Sequence, residues 1–133
     1  AAIGLVQLGR FEEFANKRRD LARRYDTALT PFDSIIRIPH NYDDVVPHLY
    51  AVRIRGLKDR VAFRARMLDA GVQTGVHYQP NHWLEYFRDD ARPDQLPTTE
   101  NIYAELLTLP LHPDLELNDI EFICDRLKVY LYE

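Results

Sequence analysis

Leu8, Phe11, Ala15, Ala22, Tyr25 and Leu29 recur at helical spacing, with Glu12, Glu13, Lys17, Arg18, Arg19, Asp20, Arg23 and Arg24 between them. That period gathers the apolar side chains on one stripe and the charges opposite, and Pro31 cannot continue the helix. The pattern predicts one long amphipathic connecting helix over residues 1–30, its charged face in solvent with pairs such as Glu13–Lys17. Ile35-Ile36-Arg37-Ile38 predicts a short strand stopped by Pro39, and residues 41–44 a polar turn. Residues 49–55 alternate, with Tyr50, Val52 and Ile54 on one face, and predict a second strand. A helix from about Asp59 is expected to bury Val61, Ala65 and Leu68 and to stop at Gly71. Val72 to Val76 is expected to form a third strand leading directly into His77.

Residues 83–97 are rich in Asp, Arg and Pro and read as an irregular excursion. Thr98 opens a helix through Ile102, Tyr103 and Leu106. The run Leu107-Thr108-Leu109-Pro110-Leu111 predicts a strand that Pro110 assigns to a sheet edge. In the last helix Asn118 is the expected cap, with Glu121 three residues on and Leu117 stapled to Phe122. Ile120, Ile123, Leu127 and Leu131 form its buried stripe. The fold class is therefore α+β: a small, mainly antiparallel sheet with helices packed on one face, spanning residues 31–133 and preceded by the helix of residues 1–30.

A length of 133 residues suits one compact domain. With 46% hydrophobic and 29% charged residues, disorder and a coiled coil are poor readings. A net charge of −4 exerts no pull on phosphate backbones, so nucleic acid is not an expected partner. No apolar run approaches the roughly 18 residues of a membrane span, so a membrane is not expected either. The single Cys124 can form neither an internal disulfide nor a thiolate cluster, which fits a reducing, cytoplasmic setting. Ala1-Ala2-Ile3-Gly4 opens without methionine or a capping residue and is already helical in character. We read the chain as a piece of a longer protein.

Candidate chemistry concentrates in Thr74-Gly75-Val76-His77-Tyr78-Gln79-Pro80-Asn81-His82. An imidazole can donate, accept or carry charge near neutral pH, and a phenol can hydrogen-bond a phosphate or hydroxyl. His77 and His82 flank a proline turn without the spacing of a zinc motif. His48 and His112 suit structural roles, and His40 lies in a surface loop. Cys124 falls on the apolar stripe of the last helix and reads as a core residue. No G-x-S-x-G nucleophile turn occurs.

Several blocks, taken together and in order, resemble the DegT/DnrJ/StrS sugar aminotransferases. They are Ala1 to Leu8, Phe14 to Tyr25, His48-Leu49-Tyr50, the Thr-Gly-Val-His-Tyr-x-Pro-x-His block of residues 74–82, and Leu109-Pro110-Leu111-His112-Pro113. The resemblance implies the C-terminal domain of a fold type I enzyme dependent on pyridoxal 5′-phosphate, usually a homodimer. Such enzymes move an amino group from glutamate or glutamine to a keto sugar, commonly nucleotide-linked. It further implies that the Schiff-base lysine, the aspartate paired with the pyridine nitrogen and the ring-stacking residue belong to an N-terminal part not contained in this chain. His77, Tyr78 and His82 are then substrate- or cofactor-contacting residues, with His82 supporting the turn. No residue of the chain is expected to be catalytic, no metal is expected, and no cofactor is expected to stay bound to this chain alone. Two other readings are a non-catalytic small-molecule-binding or regulatory α+β module, and a metal-dependent hydrolase built on His77, His82 and His112.

Overall fold

The structure, a computed structural model, describes residues 1–87 and 96–132. These fall into two compact units, each assembled from separated stretches of chain. The mixture of helices with a small three-stranded sheet is the α+β class expected from the sequence.

The first unit comprises residues 1–32, 39–50 and 110–133. Its opening segment forms two helices rather than one: α1 (Ala2–Gly9) and α2 (Phe11–Ala28), which part at Arg10 with φ −102° and ψ 4°. Gly9, the residue before the break, has the weakest helix preference after proline. The apolar stripe also starts later than expected. Leu8 and Phe11 are exposed, and burial begins at Ala15 and continues through Leu21, Ala22, Tyr25 and Leu29. α2 packs against α5 (Leu117–Tyr132), which buries Ile120, Ile123, Cys124 and Leu127.

Two buried tyrosine hydroxyls of this unit are paired. The Tyr25 ring stacks on Tyr50 with centroids 4.5 Å apart. Its hydroxyl donates to the Pro110 carbonyl at 2.9 Å, and the Tyr50 hydroxyl donates to Asp26 at 2.6 Å. The charged face of α2 does more than sit in solvent. Lys17 binds Glu116 rather than Glu13, Arg23 reaches Asp43, Arg24 reaches Glu121, and Arg18 donates to the carbonyls of His48 and Leu111. Long side chains with several donors reach across to the neighbouring segments, where the i,i+4 rule considers only the helix itself.

α5 starts one residue before its expected cap. The Glu116 N–H donates to the Asp119 carboxylate at 2.8 Å while the Asp119 N–H returns to the Glu116 carbonyl. Asn118 therefore lies inside the helix. Leu117 and Phe122 remain about half exposed, with the Arg126 guanidinium over the Phe122 ring.

The second unit comprises residues 33–38 and 51–109. Its sheet has the order β1-β2-β3, from β1 (Ile35–Arg37), β2 (Tyr50–Ile54) and β3 (Leu106–Leu109). β1 and β2 run antiparallel with Ile35 opposite Ile54 and Arg37 opposite Val52. β2 buries every second residue, as its alternation predicts.

α3 (Arg60–Asp69) is capped by Asp59, whose carboxylate accepts from the Ala62 N–H at 2.9 Å. Gly71 follows its end with φ +84°, a conformation open to glycine. The expected buried face is wrong. Phe63 and Met67 are buried, while Val61 is 79% and Leu68 58% exposed and Ala65 faces solvent. The helix carries two apolar stripes, and the one with the larger aromatic payload is buried.

The expected strand Val72–Val76 reduces to one antiparallel bridge, Gly75 with Thr108. Pro97 forms the first turn of α4 (Pro97–Glu105), where its missing N–H costs nothing. Two short 3-10 turns, Asn81–Trp83 and Glu85–Phe87, occupy the start of the expected irregular excursion. The rest of that excursion, residues 88–95, lies outside the described residues.

Candidate functional site

The stretch from Thr74 to His82 is held at both ends within the second unit. At its start Thr74 is buried, and its carbonyl accepts from Arg64 at 2.9 Å. Gly75 exchanges two backbone hydrogen bonds with Thr108, of 2.9 and 2.8 Å. At its end Pro80 is buried and begins the 3-10 turn, with the Trp83 N–H returning to its carbonyl.

His82, inside that turn, is only 6% exposed, and its Nε2 lies 2.8 Å from a Glu100 carboxylate oxygen. Trp83 sets its ring edge-on to Tyr103, 5.2 Å between centroids, and the Arg60 guanidinium covers the Tyr103 ring at 4.3 Å. Glu100 and Tyr103 stand three residues apart on α4, a spacing that puts them on one helical face. That face therefore receives the turn through two contacts, one polar and one aromatic. With its Nε2 bonded to Glu100, His82 serves as an anchor.

His77 and Tyr78 lie between the two anchored ends, joined by a cis peptide bond, with their rings edge-to-face at 4.8 Å. Tyr78 is 71% exposed and His77 half-buried. The His77 imidazole rests against the α-carbon of Gly75. A β-carbon built there would meet His77 Cε1 at 2.5 Å and Nδ1 at 3.1 Å. Chemically the pair offers an imidazole and a phenol, each able to hydrogen-bond an oxygen-rich ligand.

The other histidines are exposed. His40 faces the Tyr42 ring, and His112 Nδ1 lies 3.9 Å from Asp114. Among the described residues, no three His, Cys, Asp or Glu side chains gather as a metal site. Cys124 is a buried core residue. Burial, reinforced by Asp125 and Glu121 against the opposing Arg24, pushes its thiol up to about 12. Burial likewise drives the Tyr25 phenol above its usual range.

Sequence reasoning missed Glu100, Trp83, Tyr103 and Arg60. The i,i+3 spacing of Glu100 and Tyr103 was the available signal. Nothing local tied them to His82, which lies 18 residues from Glu100.

Residues 1–128 match the DegT/DnrJ/EryC1/StrS aminotransferase family. A dTDP-4-dehydro-2,3,6-trideoxy-D-glucose 4-aminotransferase of Saccharopolyspora spinosa is 33% identical over 131 residues, covering 96% of this chain and 33% of the relative. A putative sugar aminotransferase of Streptococcus pneumoniae, Spr1654, superposes with a TM-score of 0.87 at 27% identity, over 96% of this chain and 33% of that one. It has also been solved in PLP and PMP forms. The aminotransferase TlmJ of Streptoalloteichus hindustanus superposes with a TM-score of 0.79 at 32% identity, over 97% and 35%. The chain thus spans about a third of the length of these relatives. It belongs to the DegT/DnrJ/EryC1/StrS aminotransferase family.

Proposed function

We propose that this member of the family works as the C-terminal part of a sugar aminotransferase, in which an amino group passes from glutamate or glutamine to a nucleotide-linked keto sugar. Residues 1–30 connect to an N-terminal part that carries the cofactor-linking lysine, and residues 31–133 form the small domain. The whole enzyme is a cytoplasmic homodimer. When bound, pyridoxal phosphate supplies the electron-withdrawing ring on which an amino group is taken up and handed on.

The observation that carries this reading is the His77–Tyr78 pair. It stands half-open between two anchored chain ends, on a fold shared with sugar aminotransferases over nearly the whole chain. Both side chains are suited to contact the cofactor phosphate or sugar oxygens, with His82 and Glu100 holding the turn beneath them. This donor set fits a phosphate or sugar contact and offers no covalent attachment. Lys17 is engaged by Glu116, and Lys58 and Lys128 are exposed. A lysine that links to the cofactor needs a desolvated pocket that lowers its pKa. The chain alone is therefore inactive.

Two experiments test the reading. Mixing the 133-residue chain with pyridoxal phosphate should give no lysine-linked chromophore, and its appearance would refute the assignment of that lysine elsewhere. In the intact protein, His77→Ala with Tyr78→Phe should depress turnover while the protein stays folded, and unchanged kinetics would return the pair to a structural role.

A second reading, a non-catalytic small-molecule-binding module, draws on a cavity of about 380 Å³ in the first unit. Phe32, Cys124 and Tyr132 line it together with Asp125 and Lys128. An unrelated domain encoded directly upstream of Ala1 would favour that reading.

A further inference from the structure

Gly75 is a glycine for want of room and not for backbone freedom. Gly56 and Gly71 are the glycines with positive φ, and Gly75 does not share that conformation. What sets it apart is the His77 ring, which occupies the space a side chain would fill, with Cε1 only 2.5 Å from an ideal β-carbon. The other glycines have nothing within 4 Å of that position. Nor can Gly75 retreat from the ring, because both of its backbone polar groups are bonded to Thr108. The neighbouring Thr74 is buried and its carbonyl is held by Arg64.

The seat also distinguishes the two ring nitrogens. Nδ1 is sealed from solvent and has no hydrogen-bond partner among the described residues, whereas Nε2 is not sealed in this way. Among backbone groups, a buried N–H without an acceptor is rarer than an unpaired acceptor. A neutral ring with its proton on Nε2 would turn a bare Nδ1 inward and leave no buried N–H unpaired.

We propose that Gly75 and Thr108 are positioning residues that seat the His77 imidazole as the Nε2–H tautomer, so that it presents one outward hydrogen-bond donor to an acceptor-rich ligand such as a phosphate or sugar oxygen. The choice of ligand rests on the aminotransferase reading. The seat itself does not.

Nitrogen-15 NMR of the His77 imidazole in the 133-residue chain, followed through a pH series to its alkaline limit, tests the seat without any variant. The expected result is a protonated Nε2, an unprotonated Nδ1, and a nuclear Overhauser effect between His77 Hε1 and the Gly75 α-protons. A proton on Nδ1, or equal mixing of the two tautomers, would overturn the proposal. Gly75→Ala should abolish that Overhauser effect and average the two nitrogen signals, and unchanged signals in this variant would also overturn it. In the intact enzyme Gly75→Ala should lower kcat/KM by up to about 100-fold, the size of effect that displacing a group by roughly an ångström can produce. It should add little to His77→Ala, because both variants remove the same donor. If the NMR results hold while both variants turn over normally, the seat stands and the assignment of His77 to the active site falls.

Discussion

The α2–α5 pair and the Thr74–His82 stretch solve opposite problems with similar residue types. In the helical pair, Tyr25 is buried with its hydroxyl bonded, and Arg18 and Arg24 reach carbonyls or a carboxylate across the unit. In the loop, Tyr78 stands in solvent and a histidine nitrogen is buried without a partner among the described residues. The first arrangement closes its long side chains onto carbonyls and carboxylates of its own unit, which is how a scaffold is stabilised. The second leaves hydrogen-bonding capacity unspent while anchoring both ends of the segment, which is how a binding group is presented. Tyr25 and His82 have their polar atoms bonded inside the fold, whereas Tyr78 is exposed and His77 Nδ1 has no partner among the described residues.

Substitutions should separate the two regions in order of size. Leu127→Ala, which empties a fully buried site on α5, should cost about 2–5 kcal/mol by urea denaturation. A loss below 1 kcal/mol would mean that the helical pair is not the scaffold. His82→Ala should cost about 1–3 kcal/mol, as expected when a buried hydrogen bond to a carboxylate is removed. This places the anchor, though not the exposed pair beside it, with the scaffold. Asp59→Ala removes the α3 cap and should cost about 1 kcal/mol.

A pH titration probes the same division from the alkaline side. The folded chain holds the Cys124 thiol protonated up to about 12, while the unfolded chain releases that proton near 8.5. The stabilisation is therefore complete below the unfolded value, and it is lost as pH rises through that window. Tyr25 acts in the same direction. Cys124→Ala should flatten part of the alkaline decline seen in denaturation midpoints. Smallest of all, Tyr78→Phe should change stability by no more than about 0.5 kcal/mol, the usual range for an exposed position.

Periodicity was enough to identify most helices and strands, because α2, β2 and α5 each bury a single stripe that the sequence displays. It misassigned α3, where Val61, Ala65 and Leu68 compete with Phe63 and Met67 and only tertiary packing chooses between the stripes. It also extended a strand through Val72–Val76, a stretch framed by two valines that pairs at Gly75 alone. His77, Tyr78 and His82 were visible in the motif. Their supports were not, because Glu100 and Tyr103 come from a distant helix and the role of Gly75 depends on where a neighbouring ring comes to rest.

The proposed division, with His77 and Tyr78 serving function and α2 and α5 serving stability, is tested most directly by measuring turnover and urea midpoint together for the intact protein carrying His77→Ala and Tyr78→Phe. The expected result is a severe loss of kcat/KM with stability held within about 1 kcal/mol of the parent, as for substitutions outside a packed core. Full turnover in the folded double variant would contradict that division.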